Sequence, residues 1–205
     1  MRDGGKFPAE KKELLREVSS IGAQNAALVL SKMLDIEISV SFLGTDVVAL
    51  DNVVAEKIPR DKMVSFIFSD FNGDVKGTAV LVFSNASTMT VLKALYNRNV
   101  NSLDSIEEID YSILKETGNI IISSFLNALC NKFELVALPT VPDVAVDYID
   151  AVMQSFSLIL YKEGRENLIS VRTELSAMPK KDSIFGTMFL LFDSAEDIEK
   201  LLTGK

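Results

Sequence analysis

The sequence of 205 residues contains no histidine and no tryptophan, and its single cysteine is Cys130. Without an imidazole, the chain cannot build a Ser-His-Asp or Cys-His nucleophile pair, a histidine general base or a histidine-ligated zinc site. One cysteine cannot form an intrachain disulfide, so Cys130 fits a reducing compartment and a role in core packing. Any chemistry must therefore use carboxylates, amides, hydroxyls or amines, or a metal that arrives with the substrate.

Positive charge is also scarce, with 21 Lys and Arg against 29 Asp and Glu and a formal net charge of −8. That sign opposes binding to a nucleic-acid backbone. The segment Met1 to Lys12 is polar, unlike a signal peptide, and apolar runs such as Thr78 to Phe83 are far too short to span a bilayer. The sequence predicts a cytoplasmic protein with no nucleic-acid or membrane partner.

Two pairs of segments repeat along the chain. Residues 13–21 align with residues 112–120 at an offset of 99, and residues 77–84 resemble residues 186–193 at an offset of 109. Two matched landmarks in the same order indicate an internal duplication with a short insertion in the second copy. We predict a single domain over residues 1–205, with its first half at about 9–100 and its second half at about 101–205.

Each half predicts a long helix, then β-rich sequence, then a short amphipathic helix. The long helices are expected at about Ala9 to Leu34 and about Asp104 to Phe133, and Asn72-Gly73 is a candidate turn between two strands. In the second half, strands are expected at Val152 to Tyr161 and Leu168 to Leu175. Because strands follow one another without intervening helices, we predict an α+β fold: pseudo-twofold duplicated α/β halves, a largely antiparallel sheet and two long helices packed against it.

The second long helix carries a polar stripe. Ser112, Glu116 and Asn119 stand at i, i+4 and i+7, which places them within roughly 60° of one another around the helix axis. They would project together, away from the broad apolar face that can pack on the sheet. Glu and Asn on the wet face of an amphipathic helix are most often solvated surface, so this spacing alone is a weak indication of function.

Three neighbouring groups have structural interpretations. Gly118 is expected to let the helix approach the sheet closely. Glu107 and Glu108 lie near the predicted helix N-terminus, where the helix dipole favours acids, and Asp110 is expected to share that solvated face.

The spacing Ser112-x3-Glu116-x2-Asn119-x22-Pro142 resembles the signature of the CheC/CheX/FliY family of response-regulator phosphatases. That signature consists of Asp or Ser, Glu, Asn and a distant Pro. The segment from Glu116 to Ile120 and its partner from Ser19 to Ala26 both look like helices of this family. Together with the duplication and the Gly-Thr strands, the resemblance covers nearly the whole chain.

CheC proteins carry this motif once in each half, so the first copy has its own candidate site. There Glu13 occupies the Asp or Ser position and Glu17 matches, but Ser20 stands in place of Asn and Leu43 in place of Pro. A serine hydroxyl is too short to present a carboxamide at the same distance. We therefore expect the first site to be inactive or much weaker.

The resemblance implies a phosphatase that removes the aspartyl phosphate of a chemotaxis response regulator, CheY-P. In this family the receiver domain brings the phosphoaspartate, Mg²⁺ and an active-site lysine, so the phosphatase itself binds no cofactor. The resemblance assigns Asn119 to orient the attacking water and Glu116 to engage the partner's lysine, with Ser112 and Pro142 in supporting places.

The sequence also allows other functions. CheC relatives also bind the deamidase CheD, and FliY relatives sit in the flagellar switch, so a non-catalytic binding or adaptor protein is the alternative. CheX proteins usually carry one motif and dimerise, whereas two motif helices in one chain favour a monomer. A carboxylate-based glycosidase would need two opposed acids across a cleft, and nothing in the sequence singles out such a pair.

Overall fold

The structure, a computed structural model, describes residues 9–35, 37–49, 62–152, 154, 167–177 and 182–203. Its helices are α1 (Ala9–Leu34), α2 (Asn85–Thr90, continued by a π-helical turn at Val91–Leu95), α3 (Glu108–Phe133) and α4 (Ala195–Thr203). Its strands are β1 (Ile38–Ala49), β2 (Met63–Gly73), β3 (Gly77–Ser84), β4 (Ala137–Pro139), β5 (Asp143–Tyr148), β6 (Asn167–Ala177) and β7 (Asp182–Phe192).

All described strands belong to one antiparallel sheet, in the order β1-β6-β7-β3-β2-β4, with β5 also paired to β2. The first strand of each half therefore joins the other half: β1 pairs with β6, while β4 and β5 pair with β2. This exchange interleaves the two copies, and the predicted α+β fold with a largely antiparallel sheet is confirmed.

The repeated Gly-Thr strands, β3 and β7, pair with each other in the middle of the sheet. Gly77 lies opposite Phe192, and Phe83 lies opposite Gly186. Each glycine of one copy thus faces the phenylalanine of the other, which is the register that a pseudo-twofold axis between the two strands requires. The pairing of β3 with β7 therefore matches the internal duplication that the sequence predicts.

The two long helices pack on the same face of the sheet and against each other. An ideal Cβ on Gly22 of α1 would lie 2.6 Å from Cδ2 of Phe125, and one on Gly118 of α3 would lie 2.4 Å from Cγ2 of Ile67. Neither position has room for a side chain, so these glycines set the helix–helix and helix–sheet approaches. The role expected for Gly118 is confirmed.

The opposite face of the sheet carries a smaller apolar cluster, which includes Val64, Phe66, Val80 and Val82. Alternate residues of β2 and β3, such as Ile67 and Leu81, face the helices instead. Within the described residues, the helices are all too short or too polar to cross a membrane.

The local expectations need three corrections. The second long helix begins at Glu108 rather than near Asp104, because residues 103–105 form a separate 3₁₀ turn. Asn72-Gly73 is not a turn, since both residues still pair with β4 and the chain reverses after Gly73. Val152 lies in a helical turn rather than a strand, and most of the strand expected to follow it lies outside the described residues.

Candidate active site

The N-terminus of α3 is anchored by a buried carboxylate. Asp110, whose side chain is fully buried, accepts hydrogen bonds from Nε of Arg98 at 2.9 Å and from the backbone N–H of Glu107 at 2.9 Å. The Arg98 hydrogen bond is the main cause that holds the pKa of Asp110 below its usual range, with the Glu107 amide adding to the effect and burial opposing it. The expectation that Asp110 shares a solvated face is wrong, because its carboxylate is buried against the Arg98 guanidinium and the Glu107 amide.

The structure places Ser112, Glu116 and Asn119 together on the outward face of α3. Ser112 and Glu116 are exposed, and Asn119 is half-buried. The Ser112 hydroxyl donates to the backbone carbonyl of Glu108 at 3.2 Å, a local bond within the helix. In the part of the chain that the structure describes, Glu116 has no ion pair or hydrogen bond through its carboxylate.

A fourth polar residue, Ser123, extends the stripe by one helical turn. Its hydroxyl lies 3.4 Å from Oδ1 of Asn119, to which it donates. Sequence reasoning missed this residue, although the i+4 spacing from Asn119 was visible in the sequence. The Asn119 carboxamide therefore has a hydrogen-bonding neighbour one helical turn further along α3.

On one side, the stripe is joined to the sheet through Lys115. Its Nζ donates to Oδ1 of Asp143, the first residue of β5, at 2.9 Å. Pro142 immediately precedes Asp143 and is buried. Residues 140–142 oppose only two residues of β2, so Pro142 lies in a bulge between β4 and β5. The structure thus puts Pro142 at the edge of the strand that Lys115 ties to α3.

On another side, Tyr96 comes close to the stripe at the end of the π-helical turn. Its hydroxyl lies 3.4 Å from Oγ1 of Thr117. Burial raises the pKa of Tyr96, the Thr117 contact opposes that rise, and the negative charge of Glu116 adds to it. Sequence reasoning missed Tyr96 as well, because this contact joins residues that no local pattern relates.

The corresponding stripe on α1 has different partners. Glu13 is exposed and lies 3.9 Å from Arg16. The carboxylate of Glu17 pairs with Nζ of Lys132 from α3 at 3.1 Å, and the Ser20 hydroxyl accepts from Nε2 of Gln24 at 3.3 Å.

The residue aligned with Pro142 also occupies an equivalent place in the sheet. Leu43 lies where the β1–β6 register shifts, between Phe42 and Gly44, and its side chain is exposed. The alignment of the two motif copies therefore extends to their bulges, although leucine replaces proline in the first copy.

No metal site is evident among the described residues, where no three His, Cys, Asp or Glu side chains come together in a suitable group. Cys130 is buried next to the sheet, and desolvation raises the pKa of its thiol to about 11. A thiol with that pKa is a poor nucleophile at neutral pH. The arrangement offers carboxylate, carboxamide and hydroxyl groups on one accessible stripe.

Comparison with known proteins relates this geometry to a family. No family model matches the chain. The chain is 27% identical over 197 residues to the CheY-P phosphatase CheC of Bacillus subtilis, covering 95% of this chain and 93% of that protein. This similarity supports a relationship to the CheC/CheX/FliY family. The relative shares almost its whole length with the present chain, so the relationship includes both motif helices.

Solved structures of FliY and of a FliG-FliM complex share the fold. FliY of Thermotoga maritima has a TM-score of 0.71 at 16% identity, with 96% of each chain covered. A structure of the FliG-FliM complex from H. pylori gives a TM-score of 0.63 at 13% identity, covering 94% of this chain and 98% of that chain. The CheC/CheX/FliY fold is therefore shared by proteins whose identity to this chain is too low to indicate a common activity.

Proposed function

We propose that this protein is a phosphatase that hydrolyses the aspartyl phosphate of a chemotaxis response regulator such as CheY. The observation that carries this proposal is the stripe on α3, where Glu116 has no internal cation among the described residues and the Asn119 carboxamide lies beside it, half-buried. The similarity to a CheY-P phosphatase over almost the whole chain supports the same conclusion.

The chemistry suits the groups that are present. Hydrolysis of an acyl phosphate requires mainly an in-line water and neutralisation of phosphoryl charge. In the proposed complex the receiver supplies the phosphoaspartate, Mg²⁺ and a lysine, and this chain supplies no metal. The protein's contribution is then positioning, for which no histidine is needed.

Asn119 would orient the attacking water. A carboxamide both accepts and donates hydrogen bonds without depending on pH, so it can hold a water while contacting a phosphoryl oxygen. Its half-buried position restricts its motion more than that of a fully exposed side chain. Glu116, almost one turn earlier, would pair with the receiver's lysine and fix the angle of approach.

Ser112 and Pro142 would have supporting roles. The local bond of Ser112 to Glu108 leaves its oxygen on the surface at the N-terminal end of the stripe, where it can contact the partner. Pro142 would shape the bulge before β5, whose Asp143 holds Lys115. Neither side chain needs to touch the phosphoryl group.

The experiment measures the decay of a phosphorylated chemotaxis receiver with Mg²⁺, with and without this protein. We expect acceleration by the wild-type chain and a loss of about 100-fold in the accelerated rate for Asn119→Ala, the size typical of a missing transition-state hydrogen bond. Asn131→Ala is the matched control, because Asn131 is an exposed amide on the same helix, about 18 Å further along its axis. Equal losses in the two variants would contradict the proposal.

A binding or adaptor function is the second candidate, favoured by the likeness to FliY and to FliM in the FliG-FliM complex. The deamidase CheD or a component of the flagellar switch would then be the partner, in the same cytoplasmic setting. No acceleration with several cognate receivers, while the folded protein still binds such a partner, would favour this function over the phosphatase.

A further inference from the structure

Ser123 makes a different bond from most of the helical hydroxyls that donate in the described residues. A serine or threonine inside a helix commonly donates to the backbone carbonyl four residues earlier. Five described residues do so: Thr88 to Ser84, Thr90 to Ala86, Ser112 to Glu108, Thr117 to Ile113 and Thr203 to Glu199. Ser123 instead donates to the side chain of the residue four positions earlier, which is Asn119.

We propose that Ser123 is a positioning residue that restrains the Asn119 carboxamide through this hydrogen bond; this inference rests on the phosphatase function proposed above. The terminal torsion of an asparagine is broad, and its oxygen and nitrogen can exchange places at little cost. In the bond seen here the Ser123 hydroxyl donates, which places the carbonyl oxygen of Asn119 towards Ser123 and restrains rotation about that torsion.

The orientation seen in the structure suits the reaction. The carbonyl oxygen of Asn119 keeps a second lone pair for the attacking water, and both N–H groups remain available for phosphoryl oxygens. The 3.4 Å distance is long for a hydroxyl donor. Catalytic hydrogen bonds in free enzymes are often long and tighten only in the complex, so we expect this one to shorten when the receiver binds.

In the first half, the two equivalent positions are also in contact, but the hydroxyl and the carboxamide have exchanged places. Gln24 corresponds to Ser123 and Ser20 corresponds to Asn119 at the 99-residue offset. There the amide of Gln24 donates to the hydroxyl of Ser20 at 3.3 Å. Side chains at these two positions are therefore hydrogen-bonded in both helices. Only α3 has the carboxamide at the motif position and the hydroxyl four residues later.

The test compares Ser123→Ala with Ser124→Ala, a matched pair because both serines are half-buried neighbours on α3. We expect Ser123→Ala to lower kcat for receiver dephosphorylation about fivefold, the rate equivalent of one ordinary hydrogen bond, with KM unchanged. Ser123→Thr, which keeps the hydroxyl, should restore most of the rate. Ser124→Ala should match the wild type.

A readout without the receiver separates this inference from the proposed function. In the free protein, the side-chain NH₂ resonances of Asn119, assigned by NMR, should shift and gain mobility in Ser123→Ala but not in Ser124→Ala. Unchanged resonances together with an unchanged kcat, or equal effects of the two alanines, would overturn the inference. A wild-type protein that accelerates no receiver would overturn the proposed function, whereas the resonances would still show whether Ser123 orients Asn119.

Discussion

The two long helices, α1 and α3, have equal lengths and occupy corresponding places in the duplicated fold. A 99-residue offset carries Ala9–Leu34 onto Glu108–Phe133. Their inner faces both pack into the core: Leu15 and its counterpart Leu114, for example, are both almost completely buried. The differences that bear on the proposed site lie on their outer faces.

On the outer face, each position of the stripe has changed its partner. Glu17 is paired with Lys132, whereas the counterpart of that lysine on α1 is Met33, which offers Glu116 no cation. Ser20 replaces the carboxamide of Asn119. The two helices therefore agree at buried positions such as Leu15 and Leu114 and differ in the partners of their exposed side chains.

The difference between the two helices can be tested most directly by moving the proposed site from one helix to the other. In an Asn119→Ala background, we expect Ser20→Asn, Gln24→Ser and Lys132→Met together to restore receiver dephosphorylation about tenfold above the background variant. Ser20→Asn alone should restore less, because Lys132 still occupies Glu17; that exposed pair contributes under about 1 kcal/mol, so its share is a few-fold.

Ser20→Ala in the otherwise wild-type chain is the control for the transfer, and it should leave the decay rate of the phosphorylated receiver unchanged. If it lowered that rate as much as Asn119→Ala does, the claim that the two halves have diverged would be wrong.

A second change places the α1 residue at a buried position of α3. Gly118 corresponds to Ser19, and a Cβ there would meet the stiff, fully buried side chain of Ile67. We expect Gly118→Ser to reduce the free energy of unfolding by about 2 kcal/mol through overpacking, measured by denaturant titration. An unchanged midpoint would mean that α3 can move away from the sheet without cost.

A third change removes an anchor that α3 has and α1 lacks. Asp110 corresponds to Lys11 in the first half, so no equivalent carboxylate is present there. Asp110→Asn should reduce the free energy of unfolding by about 2 kcal/mol at neutral pH, because the charged partner of Arg98 is lost. Asp104→Asn, at an exposed aspartate in the preceding 3₁₀ turn, is the control.

The pH dependence of this contact has a defined sign. Since the folded-state pKa of Asp110 is lowered, its contribution to stability is complete above the unfolded pKa of about 3.9 and is lost as the pH falls through the lower folded value. The stability difference between wild type and Asp110→Asn should therefore shrink in acid. A difference that stayed constant from pH 7 to about pH 2 would contradict the lowered pKa.

The parts of this molecule that follow local rules could be predicted from its sequence. Helical periodicity located α1, most of α3 and the shared face of Ser112, Glu116 and Asn119, because those features depend on residues a few positions apart. The duplication and the antiparallel sheet were likewise visible. The roles assigned to these residues stay predictions.

Features that depend on distant pairing could not be predicted. The turn signal of Asn72-Gly73 was overridden by pairing with β4, and the exchange of first strands between the halves leaves no local pattern. The Glu17–Lys132 ion pair could not be predicted for the same reason, because it joins residues that are far apart in the sequence. This interleaving in one sheet is also why we propose one domain over residues 1–205 rather than two separable halves.

The smallest expected effect on stability is that of a change at Ser19, the α1 counterpart of Gly118. Its hydroxyl is fully buried without a hydrogen-bond partner among the described residues, which costs free energy that no contact offsets. Ser19→Ala should therefore raise the free energy of unfolding by about 1 kcal/mol, since alanine also has the higher helix propensity. Ser20→Ala, at the neighbouring half-exposed serine whose hydroxyl accepts from Gln24, should raise it by less. A destabilised Ser19→Ala protein would show that the hydroxyl fills space that α1 needs, and that position 19 is constrained by packing as tightly as Gly118 is.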